Sequence, residues 1–107
     1  MAAPITDRDA TIYAIRSALR RRTGRPWSVT GGRGTAWGWI RISAPPARRV
    51  GYDYISDDDR ATLGAALGLD RVHQQGVSIP AGHDYRTEYV DRAEGRTPSR
   101  YGVPYWD

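Results

Sequence analysis

The stretch Trp27-Ser-Val-Thr-Gly-Gly-Arg-Gly-Thr-Ala-Trp-Gly-Trp-Ile-Arg-Ile-Ser43 decides the fold. Trp27 to Thr30 alternates, Gly31-Gly-Arg-Gly34 turns, and Thr35 to Ser43 alternates again, which is the pattern of an antiparallel hairpin over about 27–43. Side chains on a strand point to opposite faces in turn. Ala36, Gly38, Ile40 and Ile42 therefore share one face, suited to lie under a helix, while Trp37, Trp39 and Arg41 share the other.

Helical signals flank the hairpin. Before it, Ile12, Ile15 and Leu19 recur at i, i+3, i+7 with Ala14 and Ala18 beside them, predicting a helix from about Asp7 to Arg22. Thr6 is placed to cap it, Asp7 and Asp9 suit its positive end, and Gly24 and Pro26 stop it. After the hairpin, Ala44-Pro45-Pro46-Ala47 breaks the chain, and the alternation from Val50 to Ile55 is a candidate third strand. Ser56 followed by three aspartates opens a second helix, which buries Leu63, Ala66 and Leu67 and ends at Gly68. Val72 to Ile79 reads as a short strand or an irregular loop. A third helix is predicted at about Asp84 to Glu94, with Tyr85, Tyr89, Val90 and Ala93 on its inner face and Glu88 paired with Arg92. Pro98 and Pro104 bar a regular helix from the tail, Arg96 to Asp107, which is expected to lie extended. The expectation is an α+β fold: about three helices on a small antiparallel sheet, one domain over 1–107 with an extended tail 96–107.

Composition narrows the function classes. The 107 residues hold no cysteine, which excludes disulfides, thiolate catalysis and cysteine-type zinc sites. No apolar run approaches the ~18 residues of a membrane span, and the first residues lack a secretory pattern, so the expected setting is the cytoplasm without membrane contact. All sixteen basic residues are arginine; lysine, asparagine and phenylalanine, the residues of AT-rich codons, are absent. Net charge is +4 and the pI is about 9.8, which favours nucleic acid or an acidic protein as partner.

Four constellations carry chemistry, each with a plainer structural alternative. Arg20, Arg21, Arg22 and Arg25 at a helix C-terminus, with Arg33 in the following turn, suit phosphate contacts; the alternative is a solvated end that complements the helix dipole. Trp37 and Trp39 beside Arg41 suit base stacking if exposed, and serve as core if a helix covers them. Tyr101, Tyr105 and Trp106 in the tail suit a partner-binding edge or an arm exchanged in a homodimer; alternatively they seal the fold. His73 and His83 with Asp57, Asp58, Asp59 and Asp84 lack metal-site spacing, and neither a Gly-x-Ser-x-Gly elbow nor a P-loop ending is present. No catalytic residue, metal or cofactor is expected.

Ile15-Arg-Ser-Ala-Leu-Arg20, Trp27-Ser-Val-Thr-Gly-Gly32 and Trp39-Ile-Arg-Ile42 resemble a domain family associated with large polyvalent proteins of phages and conjugative plasmids. That family places a helix of the type Ile-Arg-x-x-Leu before a short Pro-containing turn and a Phe-Ser-Val strand; Trp27 stands here for the Phe. The resemblance covers the first half of the chain. In the second half, the run from Asp84 to Gly95 and the segment Val103 to Asp107 are similar to small uncharacterised proteins of bacteria and their mobile elements. The resemblance implies a mobile-element setting and carries no catalytic residues. The first functional expectation is a non-enzymatic accessory protein that binds DNA or RNA, single strands above all. The second is a counter-defence inhibitor or adaptor that binds an acidic or nucleic-acid-binding host protein.

Overall fold

The structure is a computed structural model that describes residues 7–32 and 38–98. It is an α+β fold of three helices on a three-stranded antiparallel sheet. Helix α1 spans Asp7–Thr23, strand β1 Ser28–Gly31, strand β2 Trp39–Ser43, helix α2 Asp57–Leu67, strand β3 Val77–Pro80 and helix α3 His83–Ala93. The strand order is β1-β2-β3, so the isoleucine-rich β2 lies in the centre. Val29, Ile42 and Val77 stand in one cross-strand row, and Thr30, Arg41 and Ser78 in the next.

Burial follows the pleat. Ile40 and Ile42 are fully buried, while on the opposite face Trp39 is exposed and Arg41 half-buried. The covered face meets Ile12, Ile15, Ala18 and Leu19 of α1, the stripe that the sequence periodicity marks. Helix α1 packs on β1 and α3, and α2 packs on both other helices through Leu63 and Leu67. A single core thus lies between one layer of helices and one face of the sheet. Among the described residues, no helix or second sheet covers the other face.

Local chemistry explains the ends of α2. The Ser56 hydroxyl accepts from the Asp59 backbone N–H at 3.1 Å, three aspartates occupy the first turn, and Gly68 closes the helix in the left-handed conformation at φ +68°. The predicted cap Thr6 and the tail from residue 99 lie outside the described residues.

The third strand falls elsewhere than at Val50–Ile55. Val50 and Tyr54 form one isolated bridge that closes a tight turn, with Gly51 at φ +56° and Asp53 at φ +67°. Two left-handed residues in four cannot continue a pleat. The sheet is completed instead by Val77–Pro80, where Val77 and Ile79 supply the buried alternation.

Both sheet edges are blunted. Gly32 donates to the Trp39 carbonyl at 2.9 Å, so by alternation Val29 and Gly31 turn their backbone groups outward. The Arg16 Nη2 donates to the Val29 carbonyl at 2.7 Å, and the Arg8 guanidinium lies against Gly31 and donates to the Gly32 carbonyl at 2.9 Å. Strand β3 is short and holds Pro80, which suits an edge. Among the described residues no helix is long and apolar enough to cross a membrane.

Candidate nucleic-acid interface

The hairpin's two described tryptophans have opposite fates. Trp27 precedes β1 and is buried; its Nε1 donates to the Thr23 hydroxyl at 2.9 Å, and the Arg48 guanidinium stacks 5.1 Å from its ring centre. Trp39 stands on the open face of the central strand and keeps 49% of its surface exposed. Trp37 lies outside the described residues, as does Arg33.

Beside Trp39, Arg41 is held from two sides. Its Nη1 pairs with Asp53 at 2.8 Å, and its Nε and Nη2 donate to the Gln75 carbonyl. The other Asp53 oxygen takes the guanidinium of Arg49, which also donates to the Ala44 carbonyl. The hydrogen bond from Arg41 holds the Asp53 carboxyl below its ordinary range, against a smaller opposing effect of burial. This clasp fixes the left-handed Asp53 and the turn that presents Tyr52, which is 88% exposed. The outer face thus offers one indole, an immobilised guanidinium and the hydroxyls of Thr30 and Ser78 flanking it.

The four arginines of the α1 end divide. Arg20 and Arg21 are exposed, and their side chains make no hydrogen bond or ion pair among the described residues. Arg22, though exposed, reaches across to the other helices: its Nη1 donates to the carbonyls of Ala66 and Ala93, each at 2.7 Å, at the ends of α2 and α3. Arg25 pairs with Asp58 at 2.8 Å and Asp59 at 2.9 Å, which raises its pKa further. Buried Asp59 also takes Arg48 at 3.1 Å, so one carboxylate joins the hairpin base, the Pro-rich segment and α2. Sequence reading leaves this knot unseen, because its members lie far apart in the chain. The three consecutive aspartates and the cap position are its only local trace.

The predicted residues do not form one patch. Arg8 sits against Gly31 and Gly32 beside the Trp39 end, and Arg22 is fourteen residues further along α1, roughly 21 Å along the axis. Arg20 and Arg21 belong to the helical layer, Trp39 and Arg41 to the opposite side of the sheet. Tyr101, Tyr105 and Trp106 lie outside the described residues.

The histidines are both exposed. The His73 Nδ1 accepts from the Gln75 N–H at 3.1 Å, and His83 stands 3.4 Å from Asp84 at the start of α3. Among the described residues no group of three or more histidine or carboxylate side chains is placed to hold a metal ion.

Comparison of the chain with protein-family models, with curated proteins and with solved structures finds no match in any of the three.

Proposed function

We propose that this protein is a non-enzymatic nucleic-acid-binding module whose contact surface is the outer face of the sheet, with single-stranded DNA or RNA as its partner. The half-exposed indole of Trp39 carries this reading. A core tryptophan would be covered, as Trp27 is; an indole left open on a central strand, beside a held guanidinium and two hydroxyls, suits stacking of an unpaired base. Such a contact contributes about 1–3 kcal/mol per base. Arg20 and Arg21 add long-range attraction from the helical side. An accessory role in a mobile genetic element, in the cytoplasm of its host, follows from the sequence resemblance.

Titration of tryptophan fluorescence with single-stranded DNA, duplex DNA and RNA at low and near-physiological salt tests this reading. Quenching by single strands that weakens with salt and disappears in Trp39→Ala is expected. Absence of binding at low salt overturns it.

A protein partner is the second reading, and the Asp53 clasp favours it. Arg41 and Arg49 share the Asp53 carboxylate, which offsets one of their two charges, and the adjoining turn holds Tyr52 and Val50 outward. Aromatic and arginine side chains with paired charge resemble the centre of a protein interface. On this reading the protein acts as a counter-defence inhibitor or adaptor. Pull-down from the host with wild type and Tyr52→Ala separates the two readings: a partner retained only by wild type, without nucleic-acid quenching, selects the second.

A further inference from the structure

We propose that the cleft where the C-terminal ends of α1, α2 and α3 meet is a phosphate-binding site. It is separate from the outer sheet face and does not depend on the reading given to that face. The cleft has a volume of about 390 Å³ and is lined by Arg22, Arg92, Arg96, Thr97 and the backbone around Gly68 and Gly95. Three of its lining side chains are guanidiniums, and none is a carboxylate.

Three helix C-termini would ordinarily repel an anion, because their free carbonyls carry the negative end of the dipole. At the ends of α2 and α3 those carbonyls are occupied. Arg22 Nη1 serves Ala66, Ala93 and, at 3.2 Å, Arg92, while Arg92 Nη1 serves Leu67 at 3.0 Å and Gly68 at 3.1 Å. The negative ends of α2 and α3 are thus offset by the two guanidiniums.

The same bonds prepare Arg22 for a ligand. Its Nη1 is anchored, and its planar group lies face-on to Gly95, where a Cβ would stand 3.0 Å from Cζ and 3.1 Å from Nε and Nη2. The Nε and Nη2 donors have no partner among the described residues. A guanidinium fixed on one side and open along its Nε–Nη2 edge matches two oxygens of a phosphate. Gly95, at φ +80°, provides both the turn and the room for this stacking.

Two of the three guanidiniums are already paired with carboxylates, so Arg22 carries the cleft's uncompensated charge. Glu88 is taken by Arg92 at 2.8 Å, and Asp91 and Glu94 are both taken by Arg96; none of the three lines the cleft. The unpaired Arg20 and Arg21 occupy the same last turn of α1 as Arg22. The exposed Thr97 hydroxyl supplies a further donor at the rim.

The test is an NMR titration of the full chain that follows the Arg22 Nε–H resonance. Three ligands are compared at equal ionic strength: inorganic phosphate, a ten-residue oligothymidylate, and chloride as the control. A saturable Arg22 shift with phosphate or oligonucleotide, absent with chloride, is expected. Thr97→Glu, which places a carboxylate on the rim at an exposed position, is expected to weaken that binding about tenfold or more with the backbone spectrum otherwise retained. Tighter binding of the oligonucleotide identifies a strand backbone as the source of the phosphate; equal binding identifies the free anion. No saturable shift with either ligand overturns the proposal, as does Thr97→Glu binding like wild type. Trp39 quenching, read on the same samples, reports the sheet face separately, so either site fails or stands without the other.

Discussion

Trp27 and Trp39 are chemically identical and stand in equivalent alternating patterns, yet one is core and the other solvent-facing. The difference lies in what the helices cover. Trp27→Ala removes a buried ring, its bond to Thr23 and the stacking surface of Arg48, and is expected to cost about 3–5 kcal/mol in urea unfolding. Trp39→Ala removes an indole that is half exposed and is expected to cost clearly less stability than Trp27→Ala, about 1 kcal/mol, while abolishing any stacking-dependent fluorescence change. Asp53 belongs to the same scale. Arg41 depresses its folded-state pKa, so its contribution to stability is complete above the ordinary carboxylate range and is lost as pH falls through the depressed folded value. Asn tolerates the left-handed backbone at φ +67° and lacks the titrating group. Asp53→Asn is therefore expected to be less stable than wild type at neutral pH, with the two converging in acid below about pH 4. Equal stability of the two at pH 7 would show that the clasp contributes nothing. Nothing in the local sequence marks Asp53, because its partners are twelve residues before it and four residues before it.

At the scale of elements, legibility tracks how local the stabilising contacts are. Helix α2 is readable throughout: Ser56 caps it, the aspartates occupy its first turn, and Gly68 ends it, all within the helix and its flanks. Helix α1 is readable from its stripe, and the Glu88–Arg92 pair of α3 from its spacing. Strand β3 is readable only as one of two alternatives for Val72–Ile79, strand or irregular loop, since so short a run with Pro80 carries little periodicity, and pairing with β2 makes it a strand. Val50–Tyr54 misleads in the opposite direction: it alternates in sequence, but its left-handed residues make a turn. Gly76 controls the approach to β3. It has φ +104°, and a Cβ there would fall 2.1 Å from the Ile42 carbonyl oxygen. Gly76→Ala is expected to destabilise by at least about 2 kcal/mol, through backbone strain and displacement of β3 from the central strand. Thermal unfolding measures the loss, and hydrogen exchange at Val77 and Ile79 locates it.

For the whole molecule, the arginines have a different balance from the one composition suggests. Of the fourteen described arginines, only Arg20, Arg21 and Arg71 have side chains without a hydrogen bond or ion pair. The others tie helix ends, the β1 edge, the outer turn and the α2 start into one body. Asp59, like Asp53, takes two arginines, and it is buried between Arg25 and Arg48. Asp59→Asn leaves Arg48 without its counter-charge and Arg25 with Asp58 alone, and is expected to cost about 3 kcal/mol. An effect under about 1 kcal/mol in urea unfolding would mean that water or Asp58 replaces it. A net charge of +4 thus measures the sum of the charges and not their availability.

The sequence alone determined the class of the fold, the three helices and the central hairpin, because capping, periodicity and turn chemistry act between residues close in the chain. It also narrowed the chemistry to arginine and aromatic side chains without cysteine. Only the tertiary structure decided which face of the sheet stays open and which arginines reach across to other elements. It also placed the third strand and brought Arg22, Arg92 and Arg96 around one cleft. Those outcomes depend on contacts across 13 to 71 positions of chain, which local pattern does not encode.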